Sequence, residues 1–179
     1  MPKLFDGAEH AARPAPYPLL HAVETGDETQ VRKLLDGGCD VNLCDADGWS
    51  PIIMAAKEGH GALLALLLTA GADANPPGNG AHTALRGASL SGHREIVRTL
   101  LAAAADPNVT SRGGKTPLRG AAMNGHSEVL ALLVASGADV CAVNAFGETA
   151  QTLAQERRHS QCIEALSAGL RVERGERAC

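Results

Sequence analysis

The chain contains few aromatic residues and no long hydrophobic run. Two Phe, one Trp and one Tyr are all that 179 residues contain. β-Sandwiches and barrels fill their sheets with aromatic and β-branched side chains, so this composition argues against both fold classes. Leu and Ala must supply the core instead, and both are strong helix formers. The composition therefore favours an all-α protein.

Membrane and secretory signals are also missing. The apolar stretch Ala62–Ala70 spans nine residues, less than half of the roughly 20 that a membrane helix needs. Residues 1–18 have no apolar core of the kind that defines a secretory leader. The five cysteines are odd in number and lack tight pairing, so we expect reduced thiols. These features predict a cytoplasmic protein, with the nucleus as the alternative, and no membrane partner.

The formal net charge of −4 is unevenly distributed along the chain. Residues 1–80 carry 5 basic and 11 acidic groups, whereas residues 81–179 carry 11 basic and 9 acidic groups. A nucleic-acid-binding domain normally presents a continuous basic stripe. The acidic total and the lack of such a stripe predict that nucleic acid is not a partner.

The most informative pattern is an internal repeat of 33 residues without insertions. Five segments align in one frame: Tyr17-Pro18-Leu19, Ser50-Pro51-Ile52, Thr83-Ala84-Leu85, Thr116-Pro117-Leu118 and Thr149-Ala150-Gln151. A glycine column follows at Gly26, Gly59, Gly92 and Gly125, broken by Arg158 in the last unit. A histidine column comes next, at His60, His93, His126 and His159. A repeat of this period indicates stacked supersecondary units.

Elementary helix chemistry explains these columns. Ser50, Thr83 and Thr116 are suited to cap a helix by accepting a backbone N–H bond. Proline at the next position fits the first helical turn, and the glycine eight residues on suits a helix end with positive φ. A leucine stripe then predicts a second helix. Because neither short helix can bury its apolar stripe alone, neighbouring units must stack and share a core.

At these residues the chain resembles the ankyrin repeat family. The fourth unit is close to the family pattern over residues 114–122 and Gly125-His126, with Arg119 in place of the usual histidine. The resemblance implies an all-α solenoid of helix-turn-helix units joined by hairpin-like loops. We expect five repeats, at residues 17–49, 50–82, 83–115, 116–148 and 149–168. A flexible segment at 1–16 and a charged tail at 169–179 complete the predicted domain organisation, and this tail could instead be the beginning of a longer helix.

No residue pattern points to catalysis, a metal or a cofactor. The four column histidines would lie on helices about 8–10 Å apart, whereas zinc binds its nitrogen ligands at about 2 Å. Histidines of successive units therefore cannot share one ion, and we expect them to hydrogen-bond local backbone. No nucleophile-elbow, metalloprotease or phosphate-loop motif is present. The sequence predicts a protein that is not an enzyme and needs no cofactor.

The resemblance implies that loops and first helices line a concave binding surface. Loop tips and helix ends are not needed for stacking in this scheme, so we expect their side chains to be exposed. The candidate partner-binding residues are Trp49, Lys57, Glu58, His82, Arg86, Leu90, Arg112, Lys115, Arg119, Met123 and Phe146. Four of these are apolar where solubility favours polar groups. The basic residues between Arg86 and Arg119 predict an acidic segment in the partner. An arginine at this position could instead donate hydrogen bonds to loop carbonyls.

These inferences predict a monomeric adaptor or scaffold that binds another protein or peptide. The alternative is a substrate-recruiting ankyrin domain of a larger enzyme. The resemblance also implies that asparagines after the second helices can be hydroxylated. The matching residues are Asn42, Asn75 and Asn108, and Cys141 departs from the column. Turn chemistry alone also explains these asparagines.

The repeat register makes a stability prediction at Ala122, where first helices are expected to pack closely. Ala122→Leu should overpack the seam between units and cost roughly 1–3 kcal/mol. Thermal unfolding measures the change. An unaltered transition would show that the register is wrong.

Overall fold

The computed structural model describes residues 17–76 and 82–173, with side chains described through residue 168. The predicted flexible segment 1–16 and the last six residues of the predicted tail lie outside the described residues. Within them the chain is entirely helical apart from turns, and a single β-bridge pairs Ser111 with Lys115. The all-α prediction is confirmed.

Ten helices alternate with tight turns and longer loops along the described chain. They are α1 Pro18–Glu24, α2 Glu28–Asp36, α3 Pro51–Glu58, α4 Gly61–Thr69, α5 Ala84–Ser91, α6 Arg94–Ala102, α7 Pro117–Asn124, α8 Ser127–Ala135, α9 Ala150–Glu156 and α10 Ser160–Glu173. Consecutive helices form five pairs, and the first helix of each pair packs on the first helix of the next. Neighbouring second helices touch less, except for α8 and α10, which pack on each other as extensively as α7 and α9 do. The odd-numbered helices therefore form the inner, tighter layer of the stack.

Small residues allow the inner helices to approach closely. One column is alanine in every unit and is buried throughout: Ala22, Ala55, Ala88, Ala121 and Ala154. Ala122, beside it, is also fully buried. A Cβ on Gly120 would lie 3.5 Å from the backbone nitrogen of Leu90, so α7 packs directly on the main chain of α5. Leucine, isoleucine and valine from both layers then fill the space between the helices.

Helix α10 is longer than predicted. The repeat pattern places the end of the solenoid at residue 168, yet α10 continues to Glu173. The reason lies in a missing helix stop. The other second helices are each followed by a residue with a positive φ between 61° and 89°, at Gly38, Gly71, Ala104 and Gly137, whereas α10 continues through Leu170 at this position. The first five residues of the predicted tail therefore belong to the last helix.

The predicted helix caps are confirmed at two of three positions. The hydroxyls of Thr83 and Thr116 accept the backbone N–H of the third residue of their helices. Thr149 does the same and completes a reciprocal capping box with Thr152. Ser50 makes no cap bond, and its buried hydroxyl oxygen lacks a hydrogen-bond partner in the described structure.

The column histidines bond to the previous unit, so the predicted local backbone contact is wrong. Each ring Nε2 donates to a carbonyl near the end of the preceding first helix, 36 residues earlier in sequence. The acceptors for His93, His126 and His159 are the carbonyls of Lys57, Leu90 and Met123, at 3.1–3.2 Å. His60 reaches Glu24 at 3.5 Å. The histidines therefore join neighbouring units and do not cap their own helices.

The same rings explain why glycine ends the first helices. All four glycines of the column have positive φ, between 74° and 87°. A Cβ on Gly92 would lie 2.6 Å from two ring atoms of His126, and one on Gly59 would lie 2.7 Å from the His93 ring. Arg158 adopts a positive φ of 60° in the last unit. It follows the last first helix, so no histidine of a later unit packs against it within the described chain.

Asparagine side chains connect the loops of neighbouring units by hydrogen bonds, in addition to the bonds that the histidines make. We call this series of bonds the asparagine ladder. The Nδ2 of Asn75 donates to the Ala104 carbonyl at 2.9 Å, and its Oδ1 accepts the N–H of Asp106 at 2.8 Å. Asn42 and Asn108 make the equivalent two bonds to their next units. The three asparagines are thus interunit bridges, beyond the turn role that the sequence suggests. Their hydroxylation stays a prediction.

A matched pair of substitutions separates backbone strain from interunit packing. Gly92 and Gly71 have similar φ values, 80° and 89°, but a Cβ on Gly71 would meet nothing within 4 Å. Gly71→Ala should cost about 1–2 kcal/mol through the left-handed conformation alone. Gly92→Ala should cost a further 1–3 kcal/mol or so, because the His126 ring must move. Urea unfolding of both variants checks this, and equal losses would contradict the packing role of the ring.

Candidate protein-binding surface

The candidate residues lie along one side of the stack, which we call the inner face. It consists of the solvent-facing side of α3, α5, α7 and α9 together with the loops that precede these helices, at residues 40–49, 106–115 and 139–148. The loops are held by hydrogen bonds within each tip and by the asparagine ladder between units. Side chains at the tips therefore project from a defined backbone.

Trp49 is buried, which corrects the expectation of an exposed apolar anchor. Its side chain belongs to the core and the residue is 9% exposed. The ring stacks on His82, the equivalent residue of the next unit, with centroids 3.8 Å apart. The Nζ of Lys57 lies 5.1 Å from the ring centroid, within cation–π range. At Trp49 the residue before the helix cap therefore turns inward between units and takes part in stacking.

The ends of the first helices are half-buried, not freely exposed as expected. Lys57 and Glu58 form an ion pair with each other at 3.3 Å, and 26% and 30% of their side chains are accessible. Leu90 and Met123 are partly buried, and their carbonyls accept the histidine bonds of the next units. These four positions contribute some accessible surface, while the carbonyls of Lys57, Leu90 and Met123 join the units.

Arg119 has a structural environment. It is 7% exposed, its Nη1 donates to the Gly114 carbonyl at 3.1 Å, and its Nη2 donates to Glu148 Oε2 at 3.2 Å. Asn144 Nδ2 donates to the same carboxylate oxygen at 2.7 Å. Of the two roles that the sequence left open for this column, the structure shows bonding to a loop carbonyl at Arg119. Its Nε is buried without a hydrogen-bond partner in the described chain.

Arg86 differs from Arg119 although it occupies the same column. It is half-buried, and its guanidinium has no hydrogen-bond or ionic partner among the described residues. Burial, and then the positive charge of nearby Arg119, lower the pKa of the Arg86 guanidinium. The two arginines therefore lie close enough on the inner face to repel each other. Arg86 is the less neutralised of the pair.

The inner face carries two exposed basic residues that are unpaired in the described structure. Arg112 and Lys115 are exposed on the loop before α7, and neither has an ionic partner within the described ranges. On the opposite side, Arg94 pairs with Glu95 at 2.9 Å and Glu128 at 3.5 Å, and Arg98 pairs with Glu95 at 2.6 Å. The basic residues of α6 are thus paired with glutamates, whereas those of the loop before α7 are not.

Phe146 is the exposed apolar residue that the sequence predicted. It is 86% exposed at the tip of the loop before α9. Asn144 fixes that tip, because its Oδ1 accepts the backbone N–H groups of Phe146 and Glu148, both at 2.9 Å. Val143, on the same loop, is 58% exposed. Sequence reasoning missed Val143, which a count of apolar residues along the whole loop would have found.

The described residues were also compared with the requirements of a metal site, a membrane span and a disulfide. The described residues contain no group of three or more His, Cys, Asp or Glu side chains arranged to hold a metal ion. Among the described helices, none combines the length and apolarity that a membrane span requires. Cys39, Cys44 and Cys162 are free thiols, and burial raises the pKa of the latter two. Cys141 is disulfide-bonded, so the expectation of reduced thiols is wrong there.

Comparison with known proteins finds a family match across most of the chain. A family model described as ankyrin repeats (3 copies) matches residues 19–111 and 104–175. The two matches together extend from α1 to the end of α10. No curated protein matches the chain.

The burial of Trp49 predicts a loss of stability when its ring is removed. Trp49→Ala should lower the free energy of unfolding by about 3 kcal/mol, because a buried ring, its stacking partner and a cation–π contact are lost together. Chemical denaturation followed by circular dichroism measures the effect. Phe146→Ala removes an exposed ring and should change stability by less than about 0.5 kcal/mol. Similar losses in the two variants would contradict the assignment of Trp49 to the core.

Proposed function

Because the chain belongs to the ankyrin repeat family, whose domains generally mediate protein–protein interactions, we propose that it is a non-catalytic adaptor. It binds another protein or peptide through the inner face and the adjoining loop tips. The binding is a surface contact that needs no cofactor and no chemical step. A scaffold role, in which several partners are held together, has the same structural basis.

The exposure of Phe146 is the observation that carries this proposal. A large apolar side chain left in solvent lowers solubility, and nothing in its own loop requires it. The tip that presents it is held by Asn144, so little conformational freedom is lost when a partner binds. Aromatic residues are enriched among those that dominate binding energy. Phe146, with Val143 beside it, is therefore placed as an apolar anchor next to the basic part of the inner face.

The remaining elements of the proposal concern the setting of the protein. We propose a monomer that acts in the cytoplasm or the nucleus, with neither nucleic acid nor membrane as its partner. In the alternative setting, the same inner face recruits a substrate for an enzyme of which this chain is one domain. Both settings use the same surface. A test of the surface therefore applies to either.

Substitution of Phe146 tests the proposed surface. Affinity purification with the full chain identifies candidate partners, and surface plasmon resonance with the purified partner measures Kd. Phe146→Ala should weaken binding by about 2 kcal/mol, or roughly 30-fold, mainly through faster dissociation. Lys33→Ala is the control, because Lys33 is an exposed residue of α2, which lies outside the inner face.

Circular dichroism confirms that both variants are folded. An unchanged Kd for Phe146→Ala, or an equal loss for Lys33→Ala, would remove the observation on which the proposed binding surface depends.

A further inference from the structure

Arg86 and Arg119 occupy equivalent positions, but the residues that face them from the next unit have opposite charges. Arg119 donates to Glu148, which lies 29 residues further along the chain. The residue 29 positions after Arg86 is Lys115. Because the units repeat in one register, Lys115 occupies beside Arg86 the position that Glu148 occupies beside Arg119. One arginine of the column has a carboxylate neighbour, and the other has a second base.

The Arg119 site shows how an arginine at this position is held when both of its hydrogen-bond acceptors are present. Its guanidinium is buried, donates to a loop carbonyl and to a carboxylate, and is fixed in place by both contacts. Glu148 is fixed in turn by Asn144. A buried arginine needs such a partner, because an unpaired charge away from water is costly. Within the described residues, such a partner is present at Arg119 and not at Arg86.

At Arg86 the corresponding partner is absent from the described structure. The guanidinium is half-buried, and Arg119 adds positive charge close to it. The repeat register places Lys115, a second base, where Arg119 has Glu148. The buried Nε of Arg119 is a further N–H donor without an acceptor. An arrangement of this kind reduces the stability of the isolated chain. It becomes favourable when an external group brings negative charge and hydrogen-bond acceptors.

We propose that Arg86, with Lys115, binds the carboxylate of an Asp or Glu side chain from the protein partner. The proposal rests on the protein-binding role of the inner face and names the chemistry of one of its contacts. Arg86 supplies the planar donor pair that suits a carboxylate. Lys115 supplies a second cation from the loop. The partner carboxylate thus takes the place at Arg86 that Glu148 takes at Arg119.

The test uses peptides selected from a random 12-residue phage library on the immobilised full chain. Selected sequences should share an acidic position. Fluorescence polarisation then measures each labelled peptide and its Asp→Asn or Glu→Gln analogue against wild type and Arg86→Gln. Neutralising the peptide acid or Arg86 should each weaken binding about tenfold or more. The double change should add less than about threefold to either single change, as expected for groups that contact each other.

Arg98→Gln is the matched control, because it removes the same charge from the opposite face, where Arg98 pairs with Glu95. It should leave the affinity within about twofold of wild type. Selected peptides without a shared acid, additive losses, or an equal effect of Arg98→Gln would each overturn the proposal. A phosphoserine analogue that binds about 100-fold more tightly than the acidic peptide would assign the site to phosphate instead.

A stability measurement separates a binding role from a structural one without any ligand. Arg86→Met should leave the Tm unchanged or raise it, because an unneutralised charge is replaced by an apolar chain of similar length. Arg119→Met should lower the Tm, because Glu148 and the Gly114 carbonyl lose their donor. If Arg86→Met lowers the Tm as much as Arg119→Met does, Arg86 is a structural residue and the proposal is wrong.

The peptide experiment also distinguishes this proposal from the broader function. Peptides that bind more weakly to Phe146→Ala but equally well to wild type and Arg86→Gln would leave the inner face as a binding surface and reject the carboxylate site. Failure of the library to yield any peptide that is sensitive to either substitution would count against both.

Discussion

The contact between a histidine ring and the glycine of the preceding unit sets the spacing of the whole stack. The ring of His126 occupies the space that a Cβ on Gly92 would need, and its Nε2 bonds the Leu90 carbonyl at 3.1 Å. Glycine at this point also supplies the positive φ with which the first helix ends. Glycine therefore both ends the first helix and allows the next unit to pack closely against it. The alanine column and the loop ladder of asparagines depend on that spacing, because both need neighbouring backbones at a fixed distance.

Because the units stack in one fixed register, residues about one repeat apart in the sequence come into contact. Trp49 stacks on His82, and Arg119 pairs with Glu148, because residues one unit apart face each other across the seam. Substitution within a column consequently changes two interfaces at once. Lys115 in the column of Glu148 is the clearest case, since it removes a carboxylate from the surroundings of Arg86. The proposed carboxylate site at Arg86 therefore lies where a residue in a repeat column changes its charge.

The basic residues of α6 and those of the loop before α7 differ in whether they are paired with acidic residues. On the second helices, Arg94 and Arg98 are paired with glutamates, so the outer face carries solvated ion pairs that contribute little to stability or recognition. On the inner face, Arg112 and Lys115 remain unpaired within the described chain, beside the apolar tip formed by Phe146. Unpaired charge and exposed apolar surface are both unfavourable in the isolated molecule. Their coincidence on one face is what a partner of complementary charge would relieve.

The sequence by itself determined the features that repeat locally: the 33-residue period, the helix pairs, the glycine helix ends and the family resemblance. Helix capping, positive φ and apolar periodicity depend on a few neighbouring residues, so they can be read directly. Tertiary structure decided the burial of Trp49, the pairing of Arg119 and the acceptors of the histidines, which lie 36 residues away. These depend on which side chains meet across a seam. A loop position looks exposed in one isolated unit, and only the packing of the next unit against it determines whether water still reaches it.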